Sequence, residues 1–403
     1  MSDATSRLRR RLAGFFLDPR VAVAAPLLVA VGAAIQMLLQ SRRGLLPGGY
    51  THYNNFIIFR QAFVHLVEGR DLYLYFPAEH FDNFLYSPTF AALMAPFVPL
   101  PAWLGLILWD LAVAGVLVAG IRSVPGLDAR SRALFTWFVL PEFIGSAQHS
   151  QTNPAIVGLF LLVLAMAERR KDWAAALFLA LASYVKIFPL AVGLLFLLYP
   201  QRVRLVAWTV AWMLALAALP LLFVSPEQLA WQYGNWWRLH TTSTHSAGIG
   251  LSVAGILQSW FGLEPPRMLL LGIGGLAMLL PLTNPRAFSR LEFRAVFLGA
   301  VLMWMIAFNH LSESPTFVIA MAGIGLWYFS QEGTPARRVL LWLAFLLVSV
   351  TYSDLVPGPF RDRYVHPYAI KALMVVVIWA VAVAELTLRD RGRRAPAPSA
   401  PAS

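Results

Sequence analysis

Apolar residues run along this chain in long stretches separated by short polar connections, and many of those stretches approach the length of a bilayer crossing. A span needs roughly 20 apolar residues, fewer where protein covers its ends. The pattern predicts about twelve spans, at Val21–Gln40, Trp103–Ile121, Ala133–Ser146, Ala155–Ala167, Trp173–Val185, Phe188–Leu198, Leu205–Val224, Met268–Thr283, Ala295–Phe308, Thr316–Phe329, Val339–Val350 and Ala369–Ala384. Several are short and bounded by proline or glycine, which is tolerated at membrane depth where backbone lines a cavity or packs on protein. The expected fold is an all-α polytopic membrane protein, one integral domain over residues 1–388. Residues 389–403, ending APAPSAPAS, have the composition of a disordered basic tail.

The polar connections alternate in character. Arg7, Arg9, Arg10, Arg11 and Arg20 precede the first run, and every second connection afterwards is arginine-rich, from Arg122/Arg130/Arg132 through Arg202/Arg204 to Arg389/Arg391/Arg393/Arg394. Positive connections stay cytoplasmic, so a multi-pass protein of the cytoplasmic (inner) membrane is expected, with both termini on the cytoplasmic side. The opposite connections hold all eight histidines: His52, His65, His80, His149, His240, His245, His310 and His366. Titratable and aromatic residues gathered on one membrane face point to a site at the outer edge of the bilayer. Two of these connections are large, 42–101 and 225–267. In the first, Asn54–Val67 has the mixed helical spacing of an interfacial helix, with Phe56, Ile57 and Phe59 expected towards lipid, an asparagine as its cap and Gly69 as its stop. Phe90–Leu100 reads as a re-entrant or interfacial piece. In the second, EQLAWQYGNWWRLH has the aromatic composition of a headgroup belt.

Composition agrees with this reading and removes other classes. At 59% hydrophobic and 13% charged, the chain lies far from a soluble domain. The net charge of +12 is spread between apolar runs instead of forming a stripe, which argues for an anionic membrane surface and against nucleic acid. With no cysteine there is no disulfide framework and no thiol nucleophile. No H-x-x-x-H or H-E-x-x-H spacing is present, so no metal is expected. Nor is there a glycine-rich phosphate loop, which disfavours a nucleotide donor.

The order of motifs carries a resemblance. A long first connection is followed by EGRDLYLYFPAEHFDNFLYSPTFAALMAPFVPLP, then HSQTNPAIVGLFLLVLA, then LASYVKIFPLAVGLLFLL. Gly69 with Tyr73, Tyr86 with Pro88, Gln151 with Asn153, and Lys186 with Pro189 fall where glycosyltransferase family 87 has its G-x-x-x-Y, Y-x-P, G-Q-x-N and K-x-x-P segments. Over Val21 to Pro200 the chain resembles that family, the polyprenol-phosphate-mannose-dependent mannosyltransferase type of the GT-C superfamily. The resemblance implies a GT-C-like bundle and transfer of a sugar, mannose or a related one, from a polyprenyl-phosphate donor to a glycolipid or glycan acceptor at the outer face. It implies no cofactor beyond that lipid-linked substrate. The family's base is an aspartate early in the first outer loop; the corresponding stretch here, YTHYNNF, has none. Either the role passes to His52, Asp71, Glu79 or Asp82, or the chain is a relative that binds lipid-linked sugars without turnover. A transporter or flippase of lipid-linked glycans is a further class, disfavoured because the two halves show no matching broken helices.

Such chemistry needs a base, a stabiliser for the departing phosphate and a lipid-facing groove. For the base, the candidates are His52, Glu79 and Asp82, the last two in the dense EHFD cluster; the bland alternatives are local charge pairing and a histidine bonded to backbone. For substrate, they are Asn54, Asn55, Tyr86, His149, Gln151, Asn153, Lys186, Arg238, His240, His310 and Glu313. Lys186 leads because a cation between two apolar runs is costly without a partner or a purpose. Glu142 and Asp110 lie inside apolar runs and need partners of their own.

Overall fold

The computed structural model describes residues 14–242, 250–309 and 312–388. These residues are almost wholly helical, with one isolated bridge, Leu46 to Tyr50, and no strand. In chain order the helices are α1 (Pro19–Arg43), α2 (Asn54–Val67), α3 (Pro88–Leu93), α4 (Ala102–Ser123), α5 (Ala129–Ala147), α6 (Asn153–Glu168), α7 (Asp172–Val185), α8 (Arg202–Ala217), α9 (Pro226–Thr242), α10 (Val253–Phe261), α11 (Arg267–Leu279), α12 (Leu291–Ala307), α13 (Phe317–Phe329), α14 (Pro335–Ala344), α15 (Gly358–Tyr364) and α16 (Ile370–Leu388). A tightly wound 3₁₀ run, Phe188–Leu198, separates α7 from α8.

Each of the twelve apolar runs lies on helical backbone, apart from a residue or so at some ends. Yet by length and composition only four helices among the described residues are long and apolar enough to cross a membrane: Pro19–Arg43, Ala102–Ser123, Arg202–Leu222 and Ile370–Leu388. The rest are shorter, and local chemistry explains where they stop. Pro189 has no N–H to return to Val185, so α7 ends at Lys186 and the chain re-enters as a 3₁₀ turn. At α3, Ser87 accepts from Phe90 N–H and Pro88 presets the first helical residue. Gly69 stops the α2 segment, its positive φ of 74° costing glycine nothing.

The core is one large cluster that runs from α1 through α16. Within it α4 packs on α6, α6 on α7, α12 on α13 and α16, and α13 on α5. Two crossings depend on glycine. A β-carbon on Gly158 would lie 2.2 Å from the Val116 carbonyl oxygen, and one on Gly323 would lie 2.6 Å from that of Gly299. Small residues let membrane helices approach closely enough for dispersion to hold them together. A second cluster joins α2, α3, the first loop and α4 around Phe56, Phe59, Phe84, Phe90 and Trp109.

That second cluster corrects part of the sequence reading of the first connection. Asn54–Val67 is a helix, but Phe56 and Phe59 are fully buried, with Phe59 packing edge-on against Tyr86, Phe90 and Trp109. α3 and α4 cover the face expected to meet lipid. Nor does an asparagine cap the helix: the cap position is Tyr53, without a side-chain bond. Asn54 and Asn55 reach to other segments instead.

Candidate functional site

Asn55, His149, Gln151, Asn153 and Lys186 gather around the corner between α5 and α6. There the chain turns through Ser150 in the left-handed region, φ 48°, uncommon for a residue with a side chain. Surrounding bonds hold the turn. The Trp109 indole donates to the Ser150 carbonyl at 3.1 Å, Asn55 donates its amide to the His149 carbonyl at 2.8 Å, and the exposed His149 ring bonds the Gly145 carbonyl at 2.9 Å. Gln151 is half-buried within the corner.

Asn153, the first residue of α6, is fully buried and uses both ends of its amide. Nδ2 donates to the Pro315 carbonyl at 3.2 Å, and Oδ1 accepts from the Lys186 ammonium at 2.8 Å. Lys186 is half-buried, and its ammonium lies 6.0 Å from the centre of the Tyr86 ring and 5.8 Å from that of Phe188. Aromatic faces are favourable neighbours for a cation out of bulk water. Among the described residues no carboxylate forms an ion pair with Lys186; the exposed Glu313 is the acid whose field reaches it. Tyr86 is fixed in turn by the Tyr73 hydroxyl, which donates to its carbonyl at 3.1 Å, and by the stacked Phe90 ring at 4.7 Å.

Tyr184 and Ile187, which flank Lys186 in sequence, line an open apolar groove of about 300 Å³ together with Ser183, Leu190, Met213, Ala217, Tyr233 and Trp236. Its walls come from α7, the 3₁₀ run, α8 and α9. The Y-x-P segment ties into the same walls: Ser87 Oγ donates to the Tyr184 carbonyl at 2.5 Å, and Thr89 shares a hydrogen bond with the Tyr233 hydroxyl at 2.7 Å. α9 also secures the first loop, since Gln228 donates to the Leu66 carbonyl at 2.5 Å and Gln232 to the Arg70 carbonyl at 2.6 Å.

The EHFD cluster is pulled apart. Glu79 turns towards His65 at 2.9 Å and Arg70 at 3.3 Å, and Arg70 stacks over Phe76. His80 is buried, its Nδ1 bonding the Asp82 carbonyl at 2.6 Å. Burial pushes both His65 and His80 below the ordinary imidazole pKa. Asp82 stays exposed and accepts from Asn83 N–H at 2.8 Å. Asn54 accepts from Phe81 N–H at 3.2 Å, while its own buried amide nitrogen finds no partner among the described residues. His52 is set apart, its ring bonding the Gly44 carbonyl at 3.2 Å beside the end of α1. Arg238 and His240 lie on α9, His240 edge-on to Trp236 of the groove. His310 lies outside the described residues.

Sequence reasoning missed the residue that answers Glu142. Lys371, near the start of α16, donates to Glu142 at 2.8 Å and to Ser314 at 2.8 Å, with both charged residues buried. The signal was available: one acid and one base in separate apolar runs are each expensive alone. No group of three or more histidine, aspartate or glutamate side chains suited to a metal ion occurs among the described residues.

Apolar helices of membrane length and an almost wholly helical backbone define a membrane protein, in which Asn153 holds the half-buried Lys186 cation. The model of glycosyltransferase family 87 matches residues 84–307, just over half of the chain, and the chain belongs to that family of membrane glycosyltransferases. The match includes Tyr86, Pro88, Gln151, Asn153, Lys186 and Pro189 and runs well beyond the Pro200 limit set by the motifs; Gly69, Tyr73 and the first loop up to Asn83 lie outside it. No curated protein matches the chain.

Proposed function

We propose that this glycosyltransferase takes its sugar, mannose or a related hexose, from a polyprenyl-phosphate donor and passes it to a glycolipid or glycan acceptor at the outer face of the cytoplasmic membrane. One observation carries the reading: Lys186, a half-buried cation with no carboxylate in an ion pair with it among the described residues, is flanked in sequence by Tyr184 and Ile187, which line an apolar groove of about 300 Å³. A prenyl chain in that groove would bring its phosphate to the ammonium, and a charge-assisted bond there stabilises the leaving group as the glycosidic C–O bond breaks. The resemblance supports the donor class, and the arginine-rich connections on the opposite side support the outer face.

The acceptor hydroxyl attacks the anomeric carbon and its proton passes to a base. Asp82 suits that role best, because it is exposed and makes no ion pair among the described residues, whereas Glu79 is engaged by His65 and Arg70 and His52 by the Gly44 carbonyl. The test is transfer of radiolabelled sugar from synthetic polyprenyl-phosphate donors by purified protein. Asp82→Asn is expected to lower kcat by about 10²-fold or more with donor binding kept, the scale of general-base catalysis. Lys186→Ala is expected to act on kcat/KM for the donor. Turnover with nucleotide sugars and none with lipid-linked ones would refute the reading. Donor binding without any product from the unaltered chain would make it a non-catalytic relative.

A further inference from the structure

We infer that Lys371, together with Glu142, is a positioning pair for Lys186, acting through Ser314 and Asn153. The inference rests on the reading of Lys186 as the phosphate-binding group.

The connection is continuous: hydrogen bonds joined at one place by the backbone from Ser314 to Pro315. Glu142 on α5 accepts from the Lys371 ammonium on α16, and the same ammonium donates to Ser314 Oγ, each at 2.8 Å. The next residue, Pro315, offers its carbonyl to Asn153 on α6, and the other end of that amide holds Lys186 where α7 ends. Other bonds stiffen the corner carrying Ser314. Ser312 donates to the Ile306 carbonyl at 2.8 Å and accepts from Leu251 N–H at 3.2 Å, and Thr316 Oγ1 donates to the Glu313 carbonyl at 2.6 Å. Glu313, the acid nearest Lys186 in effect, therefore sits on a segment that the buried pair fixes.

Stability alone is a poor account of this pair. Lys371 is 1% exposed and Glu142 6% exposed. Burying two charges costs desolvation that their attraction often only repays, and an apolar pair of similar volume commonly stabilises as well or better. A charged pair that also donates to a loop hydroxyl has a directional use that an apolar pair lacks. The Lys371 ammonium is enclosed further by the Phe317 and Tyr352 rings, each centred 5.0 Å away, leaving it little freedom to move. The choice of lysine is itself selective: only Lys171, Lys186 and Lys371 are lysines among 32 basic residues, and two of the three belong to this relay.

The rarity of lysine gives a readout that needs no substrate. In full-length protein in detergent, acylation of Lys186 by an amine-reactive reagent is followed by mass spectrometry, with the exposed Lys171 as internal reference. Ser314→Ala leaves the ion pair in place and cuts only its link to the corner. The Lys186/Lys171 labelling ratio is expected to rise about 2- to 10-fold, the range one hydrogen bond controls. Glu142→Gln with Lys371→Met removes both charges together, avoiding an orphaned one, and is expected to raise the ratio similarly. Combined with Ser314→Ala it should add little, since all three changes break one chain. Unchanged ratios in Ser314→Ala, with the protein monodisperse, overturn the relay even if the charge-free variant fails to fold. The same samples are titrated with a polyprenyl phosphate. A raised ratio in a chain that binds no such lipid leaves the relay standing and refutes the donor reading; lipid binding that needs Lys186, with unchanged ratios, does the reverse.

Discussion

At the residue scale, the first loop depends on two imidazoles being uncharged. His65 is 2% exposed and packs on Phe76; it feels Glu79 favourably, and Arg70 and His80 unfavourably, with desolvation the largest influence. His80 is equally buried, and there desolvation outweighs the nearby Asp82 and Glu79. Both folded pKa values lie below the unfolded one, so the unfolded loop binds more protons and stability is lost as pH falls through about 6.5. Protection of the 68–87 amides against hydrogen exchange, corrected for the base-catalysed intrinsic rate, is expected to be weaker at pH 5.5 than at pH 7.5, and His80→Gln should flatten the difference; equal protection at both pH values in the unaltered chain would contradict the assignment. The same residues show what was legible in sequence. Lys186 and Asn153 stood out because a charge or an amide among apolar runs is costly. The direction of Phe56 and Phe59 did not, because helical spacing says which residues share a face and not which neighbour covers it. Nor did the fate of EHFD: adjacent charges resemble a cluster until the backbone sends Glu79 one way and Asp82 another.

At the element scale, close helix crossings set the frame that carries the site. Gly158 lies on α6, whose first residue is Asn153, and a β-carbon there would meet the backbone of α4 at Val116. Gly158→Val must separate those helices, displacing the helix that holds the Lys186 partner. Overpacking of this kind costs about 1–3 kcal/mol, so the midpoint of thermal unfolding in detergent should fall by several degrees. Gly115→Val, at a position on α4 with no atom within 4 Å of a new β-carbon, should change it little. Equal effects of the two would contradict the crossing. Helix positions were readable from apolar runs, and some stops from proline and glycine, as at Pro189 and Gly69. Lengths were less so. One apolar run became a 25-residue helix at Pro19–Arg43, and another became an 11-residue 3₁₀ run at Phe188–Leu198, where Pro189 removes a ladder donor near its start.

At the scale of the whole molecule, connections far apart in sequence are drawn to one corner. Asn55 reaches His149, Asn153 reaches Pro315, and Lys371 reaches Glu142 across 229 residues. The sequence pattern placed Asn55, His149, Asn153 and Pro315 on the same side of the chain, and Glu142 within a run, but could not say which would touch, since that depends on how α4, α6 and α12 cross. The opposite set of connections carries its own clamps, with Arg294 gripping Glu168 at 2.5 Å and 2.7 Å and Arg337 pairing with Glu385 at 3.0 Å. The groove lined by Tyr184 and Ile187 was not legible at all, because its lining comes from four separate segments whose residues look like ordinary span composition. Its role is the central claim, and it is tested most directly by the affinity of the purified full-length chain for a polyprenyl phosphate carrying no sugar, measured for the unaltered protein and for Lys186→Met. Removal of the ammonium is expected to weaken binding about 10- to 100-fold, the worth of one charge-assisted hydrogen bond. Equal affinity in the two proteins would show that the lipid phosphate is held elsewhere.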